Sequence, residues 1–295
     1  MPTSATSQPR RVSPVGSHVA VAGGLIKTGL GEATEIGAEV IQVFAGNPRG
    51  WRPTPFDRGE DDEFRTACAE LGIAVFVHAP YLLNFGSPTP ATVENSAAAL
   101  AYVMGRAESL GVSGVVVHTG SSVQQGARAR AFAQVHEVIP PILDAAPDGV
   151  RLLVEPTAGG GAALASTIDS TLEYLDALAD ERVGVCLDTC HLHAAGEDVT
   201  GPDELAAVLT RLTGAIGVDR LGLIHVNDSR DAAGSHRDRH ESLGAGLIGE
   251  RAFTALFSTP ELRGVPLLVE TATPAADVAL LAKMRATALG ALPLS

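Results

Sequence analysis

Short apolar runs and longer amphipathic stretches take turns along this chain, and the period of the pattern switches between two and about 3.6 each time. The apolar runs fall at residues 13–19, 39–44, 73–78, 114–118, 150–155, 183–187, 220–226 and 265–270. Their length and their content of Val, Ile and Leu predict buried strands. Helical spacing marks 23–35, 57–71, 91–110, 125–146, 167–179, 202–212, 249–258 and 275–289. The acids Glu60, Asp61, Asp62 and Glu63 fall in the first turn of the second helix, where the helix dipole favours them and water is expected to solvate them. Pro202 suits a helix start, whereas Pro140 and Pro141 should kink the fourth helix or end it early.

Eight strands alternating with eight helices, with no linker between them, call for a parallel sheet with helical crossovers. That number of units favours a closed (β/α)8 TIM barrel over an open doubly wound sheet. The open form would usually carry a Gly-rich phosphate loop after its first strand, and Ala22-Gly-Gly24 matches that fingerprint poorly.

Composition changes the picture little. The 295 residues are 45% hydrophobic and 4% aromatic, which suits one large α/β domain over residues 12–295 behind a short disordered tail at 1–11. The tail has no apolar core of a signal peptide, and no run approaches membrane-spanning length, so a cytoplasmic protein without a membrane partner is expected. Cys68, Cys186 and Cys190 are too few for a disulfide framework and read as small buried hydrophobes. A net charge of −13, from 34 acids against 21 bases, argues by itself against a nucleic-acid partner. Bound divalent cations would reverse the local field and weaken that objection.

The strand ends carry the chemistry. Six successive strands finish in His78, His118, Glu155, Asp188, His225 and Glu270. In a barrel the C-terminal strand ends converge on one mouth, where active sites of the fold sit. Three more candidates, His191, Asp238 and His240, lie in the loops after the sixth and seventh strands. One lone His at a strand end is more often a hydrogen-bonded structural residue; nine His, Asp and Glu at one mouth reverse that preference. A single open metal site uses only three or four protein ligands, so nine imply two or three ions. Imidazole with carboxylate suits zinc, manganese or iron better than magnesium or calcium. Glu155 or Glu270 could bridge two ions. Among the remaining residues, His18 reads as a supporting residue, and His193 and His236 as solvent-facing loop residues. His136 needs no function, and Trp51 reads as packing.

These residues sit in motifs that resemble the endonuclease IV family of bacterial apurinic/apyrimidinic endonucleases. The resemblance runs through Gly16-Ser-His-Val19, His78-Ala-Pro-Tyr-Leu-Leu-Asn84, Val117-His-Thr-Gly-Ser121 and Glu155-Pro-Thr-Ala-Gly159. It continues in Val185-Cys-Leu-Asp-Thr-Cys-His191, His225-Val-Asn-Asp-Ser229, Asp238-Arg-His-Glu-Ser-Leu-Gly244 and Leu268-Val-Glu-Thr271. It implies three zinc ions, with manganese or iron as alternatives at some sites. His78, His118 and Glu155 would hold the first; Glu155, Asp188, His225 and Glu270 the second; His191, Asp238 and His240 the third. It further implies that a hydroxide held by Glu155, Asp188 and Glu270 through their ions attacks the phosphodiester 5′ to an abasic site in duplex DNA. The products would be a 3′-hydroxyl and a 5′-deoxyribose phosphate, with some trimming of blocked 3′ ends. Arg49, Tyr81, Leu82 and Arg239 match DNA contacts, and a monomer with no obligatory protein partner is expected. Two positions depart from the family: Pro156 stands where Asn is more usual, and Gly159-Gly-Gly161 is looser. A sugar isomerase or epimerase on a related barrel would share the strand-end Glu, Asp, His and Glu, but has no ordinary need for His191, Asp238 and His240. A non-catalytic remnant would not be expected to keep all nine positions.

Overall fold

In a computed structural model that describes residues 12–290, the chain alternates strand and helix almost throughout. The expected tail at 1–11 lies outside the described residues. The chain runs through β1 (Val15–His18), a π-helical segment at Leu25–Leu30 continuing into α1 (Gly31–Glu35), β2 (Val40–Phe44) and α2 (Arg58–Leu71). Then come β3 (Ala74–His78), α3 (Pro90–Leu110), β4 (Gly114–His118), α4 (Arg128–Asp144), β5 (Arg151–Glu155) and α5 (Ile168–Leu178). Next follow β6 (Gly184–Asp188), α6 (Thr189–Ala195), α7 (Pro202–Ile216) and β7 (Leu221–His225). A two-residue antiparallel pair, β8 (Asp228–Ser229) with β9 (His240–Glu241), precedes α8 (Ala255–Ser258), β10 (Leu267–Val269) and α9 (Pro274–Ala288).

Eight of these strands close a parallel barrel in the order β1-β10-β7-β6-β5-β4-β3-β2, as the alternation predicts. β1 seals it by pairing with both β2 and β10. Gly16 makes the β1–β2 approach possible, because a methyl there would overlap the Val40 carbonyl.

Side chains alternate across each strand, and the barrel uses both faces. Outward residues such as Val43, Val77, Val117 and Val154 pack under the helices in the main core. Inward residues Val40, Phe76, Val116, Leu153, Cys186, Leu223 and Leu268 fill the barrel as a second apolar cluster. Two residues beyond each of these come Gln42, His78, His118, Glu155, Asp188, His225 and Glu270. The period of two therefore returns these side chains to the inside, one layer above an apolar floor.

Four local expectations need correcting. α4 runs through Pro140 and Pro141 to Asp144. Buried Val135, Ile139 and Leu143 hold one face of the helix, while His136 and Glu137, whose carbonyls lose their N–H partners, lie exposed. Asp61 is not solvated but fully buried. It accepts from Arg106 at 2.8 and 3.1 Å and from Ser109 at 2.9 Å, and Glu60 accepts the Leu25 N–H. Removing Asp61 would strand that arginine at a cost of about 3–5 kcal/mol. β10 stops at Val269, because the Glu270 N–H leaves the ladder and donates to Asn227 Oδ1 at 2.8 Å. The seventh helical stretch splits into a 3-10 segment, Glu250–Thr254, and the short α8. No helix among the described residues is long and apolar enough to cross a membrane.

Candidate metal centre

Glu155 closes β5 at the centre of the mouth. Its Oε2 lies 3.2 Å from His78 Nε2 and 3.6 Å from His118 Nε2, at the ends of β3 and β4. Its Oε1 lies 3.1 Å from His225 Nδ1, at the end of β7. That imidazole nitrogen is also 3.3 Å from Glu270 Oε2 and 4.0 Å from Asp188 Oδ2. One buried carboxylate thus divides its two oxygens between two groups of strand-end side chains.

A second set stands beside them, outside the register of the barrel strands. Asp188 caps α6, its Oδ1 accepting the His191 N–H at 3.0 Å. His191 therefore occupies the first turn of a helix, not the expected loop. Its Nε2 lies 3.2 Å from Asp238 Oδ2, and His240 Nε2 lies 3.0 Å from Asp238 Oδ1 and 3.4 Å from Asp188 Oδ2. The β8–β9 pair sets Ser229 opposite His240 and so brings that ring back to the mouth.

Outer partners fix which ring nitrogen faces inward. His78 Nδ1 bonds the Ala79 carbonyl at 2.6 Å, His191 Nδ1 the Pro156 carbonyl at 2.9 Å, and His240 Nδ1 the Glu270 carbonyl at 3.1 Å. Each of those nitrogens must carry the hydrogen, which leaves Nε2 as a lone-pair donor toward the carboxylates. His225 is reversed: its Nε2 donates to Gln42 Oε1 at 3.0 Å, and Nδ1 faces Glu155. Pro156 serves through its carbonyl, which proline keeps.

Four carboxylates this close need positive partners. Burial opposes ionisation of Glu155, but His225, His78 and His118 hold its carboxyl well below the usual range. Burial likewise works against Glu270 and Asp238, and the imidazoles beside them still depress both. In the metal-free protein burial also opposes charge on His191 and His240, yet Asp188 and Asp238 raise them to about 10 and about 9. At His118 burial prevails and the value falls to about 4. The donor set fits divalent ions. Nitrogens and oxygens of His78–His118–Glu155, of His191–Asp238–His240 and of Glu155–Asp188–His191 each lie within 4.8 Å of one another. Buried His240 Nε2 has no hydrogen-bond partner. Cys186 and Cys190 lie within reach, but burial pushes both thiols up to about 12, and Cys186 belongs to the apolar floor.

Residues 30–287 match the family model described as Xylose isomerase-like TIM barrel. Over 280 residues the chain is 49% identical to a probable endonuclease 4 of Streptomyces avermitilis, covering 92% of this chain and 90% of that one. The crystal structure of endonuclease IV from Thermus thermophilus superposes with a TM-score of 0.80 at 33% identity, covering 95% of this chain and 100% of that one. The chain belongs to the endonuclease IV family. It is therefore an enzyme, a metal-dependent hydrolase of the nuclease class. An L-ribulose 3-epimerase superposes with a TM-score of 0.71, covering 95% of this chain and 97% of that one, but at 18% identity it shares the fold alone.

Around this endonuclease IV centre, the rim residues fall in two places. Tyr81 and Leu82 are 47% and 39% exposed. The Tyr81 N–H donates to the Pro48 carbonyl at 3.0 Å, tying its loop to the one that carries exposed Arg49. The Tyr81 ring packs against His78 and His118, with centroids 5.2 and 5.7 Å away. Arg239 is exposed on the loop between β8 and β9, its guanidinium held by both oxygens of Asp231 at 2.6 and 2.5 Å.

His193 is buried, against expectation, and its Nε2 bonds the Asp231 carbonyl at 3.2 Å. Its own carbonyl accepts the Gly234 N–H, so α6 serves as a platform for the loop that carries Asp238 and His240. Two further partners of the centre, Gln42 in β2 and Asn227 just past β7, were left unassigned by sequence reasoning. Gln42, fully buried, donates to Glu270 Oε1 at 2.8 Å and contacts His18 Nδ1 at 3.1 Å. Asn227 donates to Asp188 Oδ2 at 2.7 Å. A lone amide inside the apolar run at 39–44 was the available signal for Gln42.

Proposed function

We propose that this endonuclease IV family member hydrolyses the phosphodiester 5′ to an apurinic or apyrimidinic site in duplex DNA, in the service of DNA repair. It leaves a 3′-hydroxyl and a 5′-deoxyribose phosphate, and also trims blocked 3′ ends. It works as a monomer of one barrel domain, which leaves the mouth open to a duplex. The observation that carries this reading is the divided carboxylate of Glu155, with the His191–Asp238–His240 set beside it.

His78, His118 and Glu155 would hold one ion; Glu155, Asp188, His225 and Glu270 a second; His191, Asp238 and His240 a third. Zinc is the expected metal, with manganese or iron at some sites. When bound, such ions supply Lewis acidity at phosphoryl oxygens and a nucleophile that is active near neutral pH. The protein's part is to keep each imidazole in one tautomer, as its outer hydrogen bond dictates, and to keep the acidic mouth above an apolar floor. Tyr81 and Leu82, half-exposed at the rim, suit insertion beside an unstacked nucleotide, with Arg49 and Arg239 at the backbone.

Nicking of a duplex with one abasic analogue by the metal-loaded protein is the test. Strand cleavage at that site, absent from the intact duplex, is expected. An intact abasic duplex together with turnover of a free ketose would overturn the proposal in favour of a sugar isomerase or epimerase.

A further inference from the structure

Three residues past the end of β7 lies a carboxylate that the centre does not use. Asp228 is fully buried and has no cationic partner among the described residues. Its oxygens instead accept backbone N–H groups: Ser229 at 2.8 Å, Gly244 at 2.9 Å, Ile248 at 2.9 Å, Gly246 at 3.2 Å and Gly249 at 3.2 Å. A carboxylate buried without a cation is tolerated only where several amides replace its water. Four of these five donors come from one short segment, so Asp228 folds residues 244–249 around itself.

That segment closes the loop that delivers the third ligand set. β8 contains Asp228, and β9 contains His240. The two strands pair Asp228 with Glu241 and Ser229 with His240. The Arg230 N–H donates to the Arg239 carbonyl at 3.1 Å and the Leu247 N–H to the Ser229 carbonyl at 2.8 Å, completing a loop pinned at both ends. Gly246 sits so close that a methyl on it would strike Asp228 Oδ1 and the Ser229 carbonyl.

We infer that Asp228 is the positioning residue of the loop-borne ligands: its amide cradle preassembles Asp238 and His240 before any ion arrives. The inference rests on the three-ion reading above. Asp228 touches none of the ligand side chains and acts only through the backbone.

Amide hydrogen exchange on the metal-stripped full-length chain tests the preassembly directly. Gly244, Gly246, Ile248 and Gly249 should be as protected as in the loaded protein. Free exchange there in the stripped chain would overturn the inference. Metal analysis of Asp228→Asn and Gly246→Ala adds a readout that simple destabilisation would not give. Both should lose one ion of three, with affinity at that site weakened about ten- to a hundredfold, while two ions remain. Gly246→Ala leaves the carboxylate intact, so it decides the matter if Asp228→Asn does not fold. Three ions held at unchanged affinity in a folded variant would contradict the inference. Should the unaltered chain itself bind only two ions, the three-ion reading fails, and the exchange pattern still decides whether Asp228 preassembles the loop.

Discussion

The two halves of the mouth are built by different means. His78, His118, Glu155, Asp188, His225 and Glu270 stand on or just past barrel strands, two residues above an apolar floor. Hydrogen-bonded register places the first five, and the Asn227 side chain holds the backbone of Glu270 one residue past its strand. His191, Asp238 and His240 have no such frame. One rides a helix cap, and the others ride a loop held by β8, β9, the α6 platform and the Asp228 cradle. The strand-borne half is thus a property of the barrel, while the loop-borne half is an addition to it. A barrel of the same shape in an L-ribulose 3-epimerase underlines that shape alone does not decide the chemistry.

Breaking the strand-borne half at its centre should have the largest effect. Glu155→Ala removes the one carboxylate that faces both strand-end groups, and nicking of an abasic duplex should fall by at least on the order of a thousandfold, with several kcal/mol of charge stabilisation gone. Metal content should drop by more than one ion. Full activity in that variant would remove Glu155 from the centre. His240→Ala separates the halves: one ion should be lost, two kept, and cleavage reduced roughly a hundredfold. Loss of all three ions would mean that the halves are not independent.

Gln42→Ala probes the strand-borne half from behind. Without its contacts to His225 and Glu270, metal affinity should weaken about tenfold at the strand-borne sites. Equal loss from the loop-borne site would contradict the division.

Acidity gives a subtler contrast. In the stripped protein His191 and His240 are raised above their ordinary value to about 10 and about 9. Their stabilisation is full below the unfolded value, roughly 6.5, and is lost as pH rises through 9 to 10. Glu155 and Glu270 are depressed, so their contribution is present above the usual carboxylate range and lost on acidification. Thermal melts of the stripped chain should therefore weaken between pH 7 and 10, and loading with zinc should flatten that slope, because ions replace the protons. Identical slopes with and without zinc would count against metal binding at His191 and His240.

How much of this was legible beforehand follows the same division. A strand of period two advertises its inward residues, so the convergence of the six strand-end side chains on one mouth could be read directly. The third set was visible as residue types but not as geometry. Seven residues of α6 are too few to show a helical period, which is why His191 looked like a loop residue and His193 like a solvated one. Asp61 looked solvated for a related reason: its partner Arg106 lies on a different helix, beyond any local pattern. Gln42, Asn227 and Asp228 lie in or beside readable strands, but their roles are hydrogen bonds to other elements, and only the folded chain brings those together.

The most direct test of a two-part, three-ion centre is a zinc titration of the stripped protein, read by nicking of a duplex with a single abasic analogue. Cleavage should stay low at substoichiometric zinc and reach its plateau at three equivalents. A plateau at one or two equivalents, or no cleavage at three, would contradict it.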